Sequence, residues 1–408
     1  MTLPRSDRRM VLALLCLASF ASVFNNLIIA PLLPEIADEF NVRVSTAGFL
    51  VTLYAIAGAA AGFFSGPFID RLGRKPVVLT GMTIVVVATA LSAVAPNFLF
   101  LAGTRALAGL GVACLSPAVF SAVGDYFSYE ERGRAMSWVV AANSSAGIIG
   151  VPAGAFVSGF LSWRFTFAGL AVLCLLFVVL LAKKLPRDAA RTGPAGAGGL
   201  RSVPHVLGNR TALAAIASGS LSTAYFFVFL TYMGAYYHDE FGLPKWALGF
   251  LTMTQGLGIL LGSAAGGRLS DRIGKRPVVI WSGLISGAFL AVETVAAPHW
   301  AIGGLFILLF AIFGGARFAS SQAVLTELMP GRRGTVMSLG ATGQQLGIVI
   351  GSFLGGRALD TWGYTALGPT AFAVAALSTL IFWANVHERG AAPTHDDLPH
   401  PAAAPREA

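Results

Sequence analysis

Charge is what this chain has least of. Asp, Glu, Lys and Arg make up 12% of its 408 residues, against about 25% in a soluble globular protein, so an ordinary water-facing surface is excluded. Acid is scarcer than base, 19 residues against 28. The six histidines (His205, His238, His299, His387, His395 and His400) fall in loops, tails or the ends of apolar stretches. A catalytic array inside a membrane needs histidine, cysteine or paired carboxylates there; the sequence offers none, which argues against a membrane-embedded enzyme. The three cysteines, Cys16, Cys114 and Cys174, lie in apolar stretches without metal-ligand spacing and read as small packing residues. His395, Asp396, Asp397 and His400 read as part of a solvated tail. No metal or cofactor is expected.

What the chain has instead is apolar length. Hydrophobic residues make up 55% of it, the mean hydropathy is +0.72, and apolar blocks recur at the length that spans a bilayer core, about 20 residues. Helices are predicted over 10–30, 46–66, 77–95, 98–122, 135–160, 165–182, 211–233, 246–267, 277–297, 300–326, 335–357 and 365–386, giving an all-α integral membrane fold of twelve spans. The first block follows Arg5, Arg8 and Arg9. It is long for a cleaved signal peptide and leads into Pro31-Leu32-Leu33-Pro34, so an uncleaved helix is expected.

The net charge of +9 suggests nucleic acid in a soluble protein, but its distribution gives a different cause. Only Arg43, Arg164, Lys245 and Arg357 fall in loops opposite the amino terminus, and Arg105 and Arg317 fall inside apolar spans. Every other Lys and Arg lies on the side of the amino terminus. By the positive-inside rule both termini are cytoplasmic, in a multi-pass inner-membrane protein. The bilayer, not nucleic acid, is the expected partner.

The segment from Gly66 through Pro67, Asp70, Arg71, Gly73, Arg74 and Lys75 to Pro76 returns as Gly267, Arg268, Asp271, Arg272, Gly274, Lys275, Arg276 and Pro277. The same offset relates Asp38-Glu39-Phe40 to Asp239-Glu240-Phe241, Gly48-Phe49-Leu50 to Gly249-Phe250-Leu251, Arg132-Gly133 to Arg333-Gly334, Met136-Ser137 to Met337-Ser338, and Gly150 and Gly154 to Gly351 and Gly355. The chain therefore reads as two parallel six-helix repeats about an axis along the membrane normal. The expected divisions are an amino-terminal tail at 1–9, a first bundle at 10–182, a flexible basic linker at 183–210, a second bundle at 211–386 and a disordered tail at 387–408.

The duplicated Gly-x-x-x-Asp-Arg-x-Gly-Arg/Lys-Lys/Arg loop, between the second and third spans and again between the eighth and ninth, resembles the signature of the major facilitator superfamily. The resemblance covers about residues 10–386. Arg105 with Gly109 and Gly111 is similar to the family's second motif, and Ser162-Trp163-Arg164-Phe165 resembles the turn after the fifth span in bacterial efflux members. In the fifth span, Gly147 and Pro152 fit the drug-antiporter pattern, while Val151, Ala155 and Phe156 replace its glycines. The run Gly150-Val151-Pro152-Ala153-Gly154 is closer to sugar-, nucleoside- or arabinose-efflux relatives. Both branches export.

The resemblance implies that Asp70 faces the amino end of the eleventh helix, near Gly334 and Thr335. Its repeat partner Asp271 then faces the fifth, near Gly133 and Arg134. Arg74 pairs with Asp125 and Lys275 with Glu327. With Gly66, Arg71, Gly73, Gly267, Arg272 and Gly274, these form a gate that closes the cytoplasmic side. Bare membrane-inheritance of positive charge explains neither the acidic member nor the fixed spacing.

Arg105 lies well inside an apolar span, where a bare guanidinium is expensive. Two readings stand: a charge facing the cavity between the halves, which the resemblance links to proton coupling, or a structural arginine bonded to backbone carbonyls. Arg317 in the tenth span is expected to line the same cavity and join Arg105 in a positive site. Asn25 and Asn26 occupy the place where many drug antiporters carry an acid. Asp125 and Glu35 are the candidate proton carriers, and Glu293 reads as a snorkelling surface acid. Pro152, Tyr225 and Gln344 are further cavity candidates. Along the seventh span, Tyr225, Phe226, Phe229 and Tyr232 are either a binding wall or packing aromatics.

The function expected from these readings is a monomeric secondary transporter that exports a small organic solute by proton antiport with alternating access. A proton-independent facilitator or exporter of sugars, nucleosides or amphipathic lipids is the alternative. A non-transporting receptor is disfavoured by complete signature loops in both halves.

Overall fold

The computed structural model describes residues 5–127, 129–185, 203–297, 299–329 and 333–386, and every regular element among them is a helix. We number the long helices as spans. In the first half these are α1 (Arg5–Leu27 continued by Ile29–Glu39), α2 (Val44–Leu72), α3 (Arg74–Ala93), α4 (Phe98–Tyr126), α5 (Tyr129–Ser145, a π turn at Ala146–Gly150, then Val151–Phe160) and α6 (Trp163–Lys184). In the second half they are α7 (Arg210–Leu230 continued by Met233–Phe241), α8 (Lys245–Ile273), α9 (Lys275–Ala296), α10 (Trp300–Leu328), α11 (Arg333–Trp362) and α12 (Leu367–Asn385).

Packing repeats as the sequence does. In the first half α2 and α3 pack on α4, α3 on α6, and α1 on α5; in the second α8 and α9 pack on α10, α9 on α12, and α7 on α11. The halves meet where α2 lies along α11, where the later part of α5 lies along α8, and where the second segments of α1 and α7 touch.

Eleven of the twelve stretches are long and apolar enough to cross a membrane; α11 is the exception. Its composition follows from its packing. Gly343, Gly347, Gly351 and Gly355 recur every fourth residue, and a Cβ at the last three would stand 2.2, 2.2 and 2.6 Å from the carbonyl oxygens of Ser220, Ala224 and Val228 on α7. Small residues at this spacing let two backbones approach closely, which is how helices associate where lipid offers no hydrophobic drive.

The two broken helices differ in local sequence. In α1 the ladder stops at Leu27, four residues before Pro31, whose ring clashes with the carbonyl at that distance. In α7 no proline is near the break. There Thr231 Oγ1 donates to the Phe227 carbonyl at 2.8 Å, a bond that Thr89, Thr254 and Ser320 also make inside unbroken helices. The π turn of α5 precedes Pro152 and makes room for a residue that lacks an N–H. The repeat places Phe353 at the equivalent point of α11, which runs unbroken.

Part of the expected linker at 183–210 is helical. Residues Val203–Leu207 form a short helix whose Val206 is buried in the second half's core with Ala212 and Phe382.

Candidate functional site

The two signature loops have the same backbone. Gly73 sits at φ 86°, ψ 170° and Gly274 at φ 90°, ψ 158°, a region essentially closed to residues with a Cβ. Each glycine turns the chain from one helix straight into the next. Lys275 Nζ lies 2.5 Å from Glu327 Oε1, joining the start of α9 to the end of α10. Asp271 and Arg272 are exposed. Most side chains at the start of α5, with Gly133, lie outside the described residues, and with them the expected Asp271 contact. A Cβ on Gly267 would meet nothing. Arg74 is buried. The side chains of Gly66, Asp70, Arg71 and Asp125 lie outside the described residues, and with them the Arg74–Asp125 and Asp70 contacts.

The intramembrane arginines are placed differently from the expectation. Arg105 is 1% exposed. It donates to Asn25 Oδ1 at 3.0 Å and to the Asn25 carbonyl at 2.8 Å, and its guanidinium lies 5.0 Å from the Tyr54 ring and 5.7 Å from that of Phe167. All these partners belong to the first half. The Asn25 carbonyl is one of the last in the first segment of α1, where helix ends leave acceptors free. Arg105 thus satisfies a carbonyl released by the break, and Asn25 Nδ2 in turn donates to Thr89 on α3 at 2.7 Å. This is the structural reading rather than the cavity-facing one.

Arg317 is 0% exposed and sealed in the second half. Nε donates to Ser222 at 2.9 Å, one terminal nitrogen to the Val279 carbonyl at 2.7 Å and to Thr379 at 3.0 Å, the other to Ser378 at 2.6 Å and to Ser218 at 3.3 Å. Gly283 makes room for it, since a Cβ there would fall 1.9 Å from the guanidinium. Arg105 and Arg317 share no partner, so the expected joint positive site is not formed.

The aromatics of α7 resolve mostly as packing. Tyr225 is buried and its hydroxyl pairs with Ser286 on α9 at 3.1 Å, so it is not a cavity wall. Phe229 is fully buried, and Phe226, half-buried, lies 5.1 Å from Phe310. Tyr232 has a different place: it donates to the Ser352 carbonyl at 2.9 Å and fills the space over Gly48 of α2. Pro152 and Gln344 are half-buried. Pro152 packs on Gly249 of α8, and Gln345, beside Gln344, reaches Gly58 of α2.

These cross-half contacts share a location that the sequence did not reveal. Along α2 and α11, Ser45 donates to Asp360 at 2.6 Å, Thr52 pairs with Ser352 at 2.7 Å, and Gly58 meets Gln345. Along α5 and α8, Gly159 meets Trp246, Pro152 meets Gly249 and Gly147 meets Gly256. The second segments of α1 and α7 meet where Gly234 approaches the Ala30 carbonyl. All lie in the part of the helices remote from the signature loops, which we call the far face.

The acidic residues of the far face also depart from expectation. Glu35 accepts from Ser158 and from the Trp163 amide, in the first turn of α6 where the helix dipole favours a carboxylate. It anchors α1 to α5 and α6. Glu39 receives two bonds from Arg164, at 3.0 and 2.7 Å, and one from the Trp163 indole. The repeat reuses the clasp, with Tyr364 donating to Asp239 at 2.5 Å. Glu293, expected at the lipid surface, is 0% exposed. Oε1 accepts from Tyr237 at 2.7 Å and Oε2 has no partner. A sequence pattern would have found it: Ser282, Ser286 and Glu293 share a helical face with Gly283, Gly287 and Leu290, a small and polar stripe suited to helix packing.

Comparison with known proteins agrees with this architecture. The sequence model of the Major Facilitator Superfamily matches residues 15–254 and 233–406. The transporter YwfA of the same type from Bacillus subtilis is 29% identical over 380 residues, 90% of each chain. Multidrug resistance protein 2 of Bacillus subtilis is 26% identical over 353 residues, 82% of this chain and 84% of the relative. A crystal structure of a D-xylose–proton symporter superposes with a TM-score of 0.76 at 17% identity, covering 93% of this chain and 98% of the other.

Proposed function

The chain belongs to the major facilitator superfamily, and from that premise we propose that it exports a small organic solute across the inner membrane by proton antiport. It is a multi-pass membrane transporter rather than an enzyme. Support for export comes from the relative named for multidrug resistance. Sugars and nucleosides enter the substrate range through the Gly150-Val151-Pro152-Ala153-Gly154 run of α5, and amphipathic drugs through the multidrug relative. The positive-inside charge distribution supports cytoplasmic termini and signature loops. A monomer holding both six-helix bundles suffices for the cycle.

The observation that carries this reading is the bonded seam between the halves at the far face. With Ser45 bonded to Asp360 and Thr52 to Ser352 across the seam, the far face is shut, as one end of an alternating-access cycle requires. Export then requires the far-face bonds to break while the loops engage. Asp271 docks on the start of α5 and Asp70 on the start of α11, with Arg71, Arg74, Arg272 and the Lys275–Glu327 pair fixing the loop ends. Arg105 and Arg317 act at a distance in this cycle: each holds the helices of its own half as one rigid body, so that the halves rock rather than deform.

Inverted vesicles with an imposed pH gradient test the proposal. Cationic drugs, sugars, nucleosides and lysolipids are added in turn and dissipation of the gradient is followed for the wild type and Asp70→Asn. Dissipation by one class, lost in the variant at equal membrane abundance, is the expected result. Labelled-solute flux without dissipation rules out proton antiport.

A further inference from the structure

Glu293 is unlike the other acids described. Each of the others is exposed or half-buried, whereas Glu293 is closed off inside the second half. Its described surroundings are Tyr237, whose hydroxyl donates to Oε1 at 2.7 Å, Tyr236, whose hydroxyl donates to the Glu293 carbonyl at 3.2 Å, and Gly303 of α10, which leaves room for the Tyr237 hydroxyl. The next residue, Thr294, is tied to the Thr365 carbonyl at 3.2 Å and accepts from the Gly368 amide at 3.1 Å, fixing the end of α9 to α12. None of these contacts supplies a cation, and none supplies a donor to Oε2. An ionised carboxylate in such a place is left with a lone charge and an unpaired oxygen, whereas a carboxylic acid has its proton on that oxygen.

The tyrosines holding Glu293 belong to the second segment of α7, Met233–Phe241. The same nine-residue helix meets the first half at Gly234, against Ala30 and Pro31 of α1. One short helix, separated from the rest of α7 by the break at Thr231–Tyr232, therefore has the carboxyl on one side and the seam between the halves on the other.

We infer that Glu293 is a proton-binding site reached from the far face, and that its proton holds the second segment of α7 docked against α1. With the proton on Oε2, the packing around Glu293 is satisfied and the far face stays shut. When the proton leaves, the carboxylate needs water or a cation, which it gains only if Met233–Phe241 moves away from α9 and with it from α1. Acid on the far face thus favours the closed seam and alkali its opening. The proton enters and leaves on one side, so the site controls the gate and is separate from any proton that is carried across. Other titratable groups near this end are Tyr236, Tyr237 and His238 on α7, Asp239 and Glu240 at its end, His299 at the start of α10 and Tyr364 before α12. Asp239 is held by Tyr364, and His238 contacts the Leu243 carbonyl at 3.0 Å.

The experiment uses the full chain in lipid nanodiscs, with the three native cysteines replaced by alanine. Infrared spectra are recorded across a pH series, and spin labels at Asn41 and Pro244, both exposed, report the far-face separation. The expected result is a protonated-carboxyl band near neutral pH that is lost in Glu293→Gln, and a label distance that lengthens as that band disappears at higher pH. In Glu293→Gln the short distance persists at every pH. In Tyr237→Phe, which keeps the carboxyl but removes the clasp, the short-distance population shrinks. The combined His238→Gln and His299→Asn variant keeps the wild-type response. Absence of the band, a pH-insensitive distance in the wild type, or an unchanged pH response in Glu293→Gln overturns the inference. Because no solute is needed, these outcomes are independent of whether transport is proton-coupled.

Discussion

Arg317 shows how a single cation is kept inside a lipid-embedded bundle without a counter-charge. Four hydroxyls and one carbonyl take all of its donor directions, and hydrogen bonds to a charged group are worth about 1.5–3 kcal/mol each when one partner is lost. The weak point is Gly283. Gly283→Ala puts a methyl 1.9 Å from the guanidinium nitrogen, which must then leave Val279 and Thr379. The expected outcome is a loss of about 2–3 kcal/mol, read as a lower melting temperature in detergent, with Ser378→Ala giving a smaller loss. An unchanged melting temperature in Gly283→Ala would mean that α9 and α10 shift apart at little cost.

At this scale the sequence was legible in kind but not in direction. Hydropathy marks Arg105 and Arg317 as buried cations, yet no single-sequence pattern says which side of a 29-residue helix meets the neighbouring helices and which meets the opposite half. Asn25 was not paired with Arg105 because a single sequence shows neither the side-chain contact nor the carbonyl released at the helix break. The Glu293 face, by contrast, was written in the spacing of its serines and glycines and was outweighed by the position of α9 at the edge of the bundle.

Among elements, the signature turns are where sequence and structure agree most closely. Repetition of the motif predicts repetition of the backbone, and Gly73 and Gly274 have nearly the same positive φ with extended ψ. A Cβ in that region costs about 1–3 kcal/mol. Gly73→Ala and Gly274→Ala are therefore expected to lower the melting temperature by similar amounts, and a large effect of one with none of the other would deny that the two turns are equivalent. Helix breaks were less legible. Pro31 and Pro152 account for those in α1 and α5, but the break in α7 has no proline beside it. Pro152→Ala is expected to restore ordinary helix geometry to α5 and to change transport through the α5–α8 contact at Gly249, with little loss of stability. Transport rate and melting temperature measured together separate the two effects.

For the whole molecule, twelve spans and a twofold repeat follow from hydropathy and a fixed offset, and even α11, too polar to qualify by apolar length, is placed by its repeat partner. The conformational state is beyond the reach of sequence, because the same residues must serve both ends of the cycle. It is read from the seam alone. Ser45 with Asp360 and Thr52 with Ser352 join α2 to α11 on the far side of Gly58, while Asp271 stands exposed near the loops. If this seam opens in every cycle, then fixing it must stop transport without unfolding either half. In the cysteine-free background, the pair Ser45→Cys and Asp360→Cys joined by a short bifunctional thiol reagent is expected to abolish flux. A reversible disulfide-forming linker should restore flux on reduction. Continued flux with the seam fixed would mean that the solute passes without the far face opening, and would remove alternating access as the account of this protein.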